Sequence, residues 1–131
     1  MKTAIIDVGS NSIRLLLGTY KNEQWYNEPK RLWTTRLGKR NDDGTLSTES
    51  MEASYKAFSE IDSFAKDYGV NQCFAFATSA VREASNGLDF MEKATTYCGM
   101  TYRILSGEEE AAYGFKGALR DRLSDGLHYA T

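Results

Sequence analysis

The sequence predicts an α/β fold, a mixed five-stranded sheet with helices packed on its faces in the order βββαβαβα. Three observations carry this. β-branched and aromatic runs dominate the first third of the chain, one long segment then shows apolar residues at helical spacing, and from there strands and helices alternate. The 131 residues include 41% hydrophobic and 12% aromatic side chains, enough for one domain with a modest core, so residues 1–131 are read as a single unit.

Thr3 to Val8 is a largely apolar strand, and Ser12 to Tyr20, rich in Leu and Ile, is its hairpin neighbour across the turn "DVGSNS". Gln24 to Leu37 alternates loosely and reads as a third strand. Pro29 lies within it and cannot donate a ladder hydrogen bond, which places that strand at a sheet edge. After the turn-forming "GKRNDDGTLST", Ser47 is placed to cap a helix with Glu49 in its first turn. Met51, Tyr55, Phe58, Ile61, Ala65 and Tyr68 form its apolar stripe, and Gly69 ends it. "QCFAFA", Gln72 to Ala77, is a short buried strand; a helix follows from about Leu88 to Cys98, then a strand from Thr101 to Leu105. Ser106 opens a last helix reaching about Leu123, with Ser106 and Glu109 spaced as a reciprocal capping pair. The final "LHYAT" reads as the start of one more strand, and His128 is assigned no role.

A net charge of −2 with 26% charged residues lacks the basic excess of a general nucleic-acid or membrane-surface binder. The chain turns polar by Asp7, no run is long enough to cross a bilayer, and Cys73 and Cys98 show no metal or disulfide spacing. A cytoplasmic protein with reduced thiols is the expectation.

Three stretches carry candidate chemistry. In "DVGSNS", Gly9 permits a sharp backbone path, while Ser10, Asn11 and Ser12 supply neutral donors suited to a phosphate. Asp7 at the strand end suits a hard cation. A plain hairpin turn whose polar side chains satisfy local amides accounts for the same residues. In "ATSAVRE", Thr78 and Ser79 follow a buried strand and Arg82 comes one turn later, where a guanidinium could grip phosphate oxygens. A helix cap and a solvated arginine is the plainer alternative. In "SGEEEAAYGFKGA", Glu108 aligns with Ala112, Phe115 and Leu119, Glu109 is occupied in capping, and Glu110 shares a stripe with Gly114 and Gly117. Each glycine costs a helix about 1 kcal/mol relative to alanine, which suggests close approach to that stripe and makes Glu110 a candidate general base. A solvated acidic cap opposing the helix dipole explains the same acids. Arg36, Lys39 and Arg40 would draw a polyanion toward the site, although "RNDDG" offsets much of their charge.

Taken together, "AIIDVGSNSIRLLL", "RLG", "ATSAVREASN" and "ILSGEEEAAYGFKGA" resemble the amino-terminal half of the exopolyphosphatase / guanosine pentaphosphate phosphohydrolase family. The resemblance implies the first subdomain of an actin-like ATPase fold, with a ribonuclease H-like sheet whose third strand is an edge. It implies hydrolysis of terminal phosphoanhydride bonds of inorganic polyphosphate or guanosine pentaphosphate, with Mg2+. Asp7, Gly9, Ser10, Asn11 and Ser12 would form the first phosphate loop. Thr78, Ser79 and Arg82 would lie at substrate phosphate, Glu110 would be the catalytic base, and Asp7 and Glu110 would stand at the metal. Gly117 matches a family glycine and Gly114 does not; after "RLG" the family continues with an acid and a glycine, whereas this chain has Lys39 and Arg40. The family's second, glycine-rich phosphate loop is expected after Thr131, so residues 1–131 alone are expected to turn over little substrate. A homodimer is the assembly considered for the parent protein. A non-catalytic polyphosphate or nucleotide sensor and a phosphotransferase of the related kinase type are the alternatives.

Overall fold

β1 (Lys2–Val8) and β2 (Ser12–Lys21) pair antiparallel from Lys2↔Thr19 to Val8↔Ile13, the hairpin expected around "DVGSNS". The structure, a computed structural model, describes residues 1–112. The last helix beyond Ala112, with Gly114, Phe115, Gly117, Leu119 and Leu123, lies outside the described residues, as do His128 and the closing "LHYAT".

The expected third strand is divided in two. β3 (Gln24–Asn27) pairs with residues 18–21 of β2, and β4 (Arg31–Thr34) pairs with residues 12–15 of the same strand. Pro29 sits in the gap, where a missing amide leaves no ladder bond to make. The sheet order is β3-β2-β1-β5-β6, with β4 also on β2, so six strands fill five positions and the Pro29 segment is an edge as expected. The strand path also ends at Thr34 rather than Leu37: Arg36 adopts a φ of 55°, and Leu37 turns fully into the core.

β5 (Gln72–Ala77) runs parallel to β1, and β6 (Thr101–Ile104) runs parallel to β5. Parallel neighbours require crossovers, and helices provide them. α1 (Thr48–Tyr68) leads into β5, while α2 (Ser79–Arg82) and α3 (Gly87–Ala94) connect β5 to β6. α2 lies in a stretch to which the sequence assigned no element, and α3 stops four residues short of Cys98, where non-helical turns take over. α4 (Gly107–Ala112) begins after Ser106 as expected.

Strand periodicity divides the core. Ala4, Ile6, Val8, Ile13, Leu15 and Leu17 pack with the helices through Phe58, Ile61, Phe90 and Met91, while Ile5, Leu16, Phe74, Phe76 and Leu105 form a second cluster. Burial on both faces makes β1 and β5 nearly continuous apolar runs. A fully buried side chain such as Phe58 contributes about 1.5–3 kcal/mol by leaving water. Its ring centroid lies 6.3 Å from that of Phe90 on α3, tying two helices together over the sheet.

α1 shows its end signals in the sequence. Ser47 accepts from the amide of Ser50 at 3.1 Å, and Gly69, at φ 81°, donates its amide to Ala65 and Lys66 carbonyls in a left-handed conformation that glycine adopts without a Cβ clash. The buried face of the helix is more polar than its apolar stripe suggests. Ser50 and Ser54 are buried near its start, with the Ser50 hydroxyl donating to the Arg36 carbonyl at 2.9 Å and the Ser54 hydroxyl to the Ser50 carbonyl at 2.7 Å. Both hydroxyls are thereby satisfied away from water. Among the described residues no helix is long and apolar enough to cross a membrane. Cys73 and Cys98 are free thiols, Cys98 being buried.

Candidate functional site

One edge of the sheet collects the chain's chemistry. β1, β5 and β6 run the same way, and Val8 pairs with Ala77, which pairs with Ile104, so all three strands release the chain at this edge. β2 begins there at Ser12, and Ser12 pairs with Thr34 at the end of β4. The turn at residues 9–11, the segment at 35–38, the start of α2 and the approach to α4 therefore share one end of the sheet. Ligands of open α/β sheets gather at such carboxyl ends.

The turn is braced from outside. Gly9 donates its amide to the Ser12 carbonyl at 3.0 Å, closing the bend. The Ser10 carbonyl accepts from Gly38 at 2.7 Å, and the Asn11 carbonyl accepts from Thr35 and Arg36 at 3.1 and 3.0 Å. With the carbonyls held by the 35–38 segment, the amides of Ser10 and Asn11 have no acceptor among the described residues, an arrangement that suits an anion. Ser10 and Asn11 are exposed, whereas Ser12 is buried. A Cβ at Gly38 would stand 3.0 Å from the Ser10 Cβ, tighter than an ordinary contact, so a side chain there would press on the turn. The bracing role of "RLG" was not read from the sequence; Gly38 beside the deeply buried Leu37 was the available signal.

The second stretch meets the first. The Ser79 hydroxyl lies 3.5 Å from that of Ser10, joining the start of α2 to the turn. Thr78 holds the N-cap position, yet its hydroxyl donates to the Val8 carbonyl at 3.4 Å and does not cap the helix. Arg82 is not a solvated arginine: its Nη1 donates to the Leu105 carbonyl and to Glu110 Oε2, each at 2.9 Å. The guanidinium retains further N–H donors with no partner among the described residues.

Of the three acids of α4, Glu109 caps the helix as expected, while the residues with which Glu108 and Glu110 were aligned beyond Ala112 lie outside the described residues. Glu109 accepts from the Ser106 amide at 3.1 Å while its own amide donates to the Ser106 hydroxyl at 3.1 Å, the reciprocal capping pair. It also pairs with Arg103, and the Ser106 amide foremost holds its carboxyl below the usual range. Glu108 is exposed. Glu110 is turned to Arg82 and the sheet edge, and its charge is felt at Asp7.

Asp7 is half-buried at the end of β1, beside the turn. Burial foremost pushes its carboxyl above the usual carboxylate range; Arg14, its register partner on β2, opposes the rise and Glu110 adds to it. A carboxylate raised by burial and by a second acid is relieved by a cation. Among the described residues no group of three or more metal-binding side chains occurs, but Mg2+ commonly takes one or two carboxylates together with phosphate oxygens, and Asp7 with Glu110 fits that donor set. The edge thus places Asp7, Gly9, Ser10, Asn11, Ser12, Thr78, Ser79, Arg82 and Glu110 around one end of the sheet, and the candidate residues divide between the turn, the start of α2 and the start of α4.

Comparison with known proteins places the chain among its relatives. The chain is 32% identical over 124 residues to Exopolyphosphatase 1 of Mycobacterium tuberculosis, covering 92% of this chain and 36% of that protein. It is 32% identical over 115 residues to the guanosine-5'-triphosphate,3'-diphosphate pyrophosphatase of Aliivibrio fischeri, covering 87% of this chain and 23% of the relative. The chain therefore spans about a third or less of the length of these relatives. The crystal structure of the Aquifex aeolicus Ppx/GppA family member superposes with a TM-score of 0.77 at 28% identity, over 84% of this chain and 36% of that one. The actin-like ATPase architecture expected from the sequence is the fold these neighbours share. Since the Ppx/GppA phosphatase family model also matches residues 30–128, most of the chain's length, the chain belongs to the Ppx/GppA phosphatase family.

Proposed function

We propose that the whole protein hydrolyses the terminal phosphoanhydride bond of inorganic polyphosphate or of guanosine pentaphosphate. The observation that carries this is the Arg82–Glu110 pair, 2.9 Å apart, standing at the same sheet edge as the turn whose Ser10 and Asn11 amides have no acceptor among the described residues. The terminal phosphate sits against those amides and the hydroxyls of Ser10, Ser12 and Ser79, and the remaining N–H groups of Arg82 take its outer oxygens. Glu110 orients a water and accepts its proton as the water oxygen bonds to phosphorus. The bridging P–O bond breaks, releasing orthophosphate and a product one phosphate shorter.

Asp7 and Glu110 would hold Mg2+, which when bound would neutralise charge on the phosphate oxygens. Besides the proton taken by Glu110 and the contacts to phosphate oxygens, the chain supplies positioning: the turn fixed by residues 35–38, and Glu110 fixed by Arg82. The test is orthophosphate release by the whole protein from long-chain polyphosphate and from guanosine pentaphosphate, with Mg2+ and with excess chelator. Release from at least one substrate, lost on chelation and restored by Mg2+, is the expected result. No release from either substrate overturns the proposal.

A further inference from the structure

A cavity of about 570 Å3 lies beside the turn, between the segment after β4 and the start of α1. Its size is that of an ordinary ligand site. Arg36, Lys39 and Arg40 line it, and among the described residues none of the three forms an ion pair; the ion pairs present are Lys66–Asp62, Arg82–Glu110 and Arg103–Glu109. Glu49 is the one acid in the lining, so the described wall is cationic on balance. Thr35 also lines the cavity, 4% exposed, and its buried hydroxyl has no hydrogen-bond partner among the described residues. Three cations without an ion pair among the described residues, set against a single acid around one space, fit a multiply charged oxyanion.

The location extends the candidate site. The segment forming this wall is the one that braces the turn, through Gly38 to Ser10 and Thr35 and Arg36 to Asn11. An anion held by the turn amides therefore borders a second, cationic space across the same few residues. We propose that this groove holds linked phosphate groups of the substrate other than the one being cleaved, with Lys39 and Arg40 on their oxygens. The proposal rests on the hydrolase reading of the adjoining site. Two sources share the chemistry: the body of a linear polyphosphate, and the second phosphate cluster of guanosine pentaphosphate.

The test uses the whole protein carrying Lys39→Ala together with Arg40→Ala. A parallel variant, Lys21→Ala with Lys66→Ala, removes the same charge from the opposite end of the sheet and of α1. KM and kcat are measured for long-chain polyphosphate and for guanosine pentaphosphate. The Kd of long-chain polyphosphate and of guanosine pentaphosphate is measured separately in the Glu110→Gln background. Losing two charge-assisted contacts is expected to raise KM and Kd by about tenfold or more with kcat changed by less than about twofold. The salt dependence of binding should also become shallower. A change confined to polyphosphate assigns the groove to the linear chain, and one confined to the nucleotide assigns it to the second phosphate cluster; both support the groove. Single Lys39→Ala, at an exposed position, should move the same values in the same direction with the fold intact. KM and Kd that stay unchanged for both ligands, or that shift equally in the parallel variant, overturn the groove. If the unsubstituted protein releases no phosphate the hydrolase reading fails instead, and the Kd comparison still decides the groove.

Discussion

Glu110→Gln in the whole protein is expected to lower kcat for phosphate release by about a hundred- to ten-thousandfold, the usual worth of a positioned general base. The Kd for the phosphate chain should stay within about threefold, because the amide keeps the side chain's size and an oxygen that can still accept from Arg82. The structure makes the contrast sharp. Glu109 is occupied in capping and by Arg103, and Glu108 is exposed, so neither can substitute for the acid that faces Arg82. Glu108→Gln should accordingly leave kcat near that of the unsubstituted protein. Steady-state kinetics with a phosphate-release assay, beside equilibrium binding, checks both values. A Glu110→Gln protein with undiminished kcat removes Glu110 from the chemistry.

Asp7→Asn is expected to separate stability from activity. The folded-state pKa of Asp7 is raised above its ordinary value of 3.8, chiefly by burial. The native state thus binds this proton more tightly than the unfolded chain does. Stability contributed by the group is fullest below the ordinary pKa and declines as pH rises through the folded value. Near neutral pH the carboxylate is a burden on the fold, and Asn at position 7 should raise the melting temperature of the metal-free protein. Near pH 3 the difference should vanish, since the carboxyl is then protonated in both states. Activity should move the other way, falling about a hundredfold or more if Asp7 holds the Mg2+ that neutralises phosphate charge. Thermal melts across pH, paired with kinetics, read both effects. A variant less stable than the unsubstituted protein at neutral pH would contradict the burial account, and one with unchanged kinetics would remove Asp7 from the site.

Signals local to a few residues were legible in the sequence. The hairpin around "DVGSNS", the Ser47 and Gly69 ends of α1 and the Ser106–Glu109 capping pair each depend on neighbours within four residues or on strand periodicity. Pro29 announced an edge, but the division into β3 and β4 depends on how β2 is long enough to seat both, which is a property of the partner strand. The candidate residues were legible as separate motifs. Their convergence was implied only by the family resemblance, because physically it follows from the parallel register that aligns Val8, Ala77 and Ile104. The pairing of Arg82 with Glu110, 28 residues apart, is of the same kind. The brace at 35–38 was missed for a related reason: its bonds to Ser10 and Asn11 are made by backbone, and apart from Gly38 side-chain chemistry does not mark them.

The central claim is spatial: a phosphate oxyanion rests on the turn after β1, within reach of Arg82, while Glu110 faces it. Crystals of the whole protein soaked with tungstate, a tetrahedral mimic whose anomalous signal locates it without ambiguity, test this most directly. The account predicts tungstate against the amides of Ser10 and Asn11 and the guanidinium of Arg82. Tungstate bound at a single strong site that touches neither the turn nor Arg82 would contradict it.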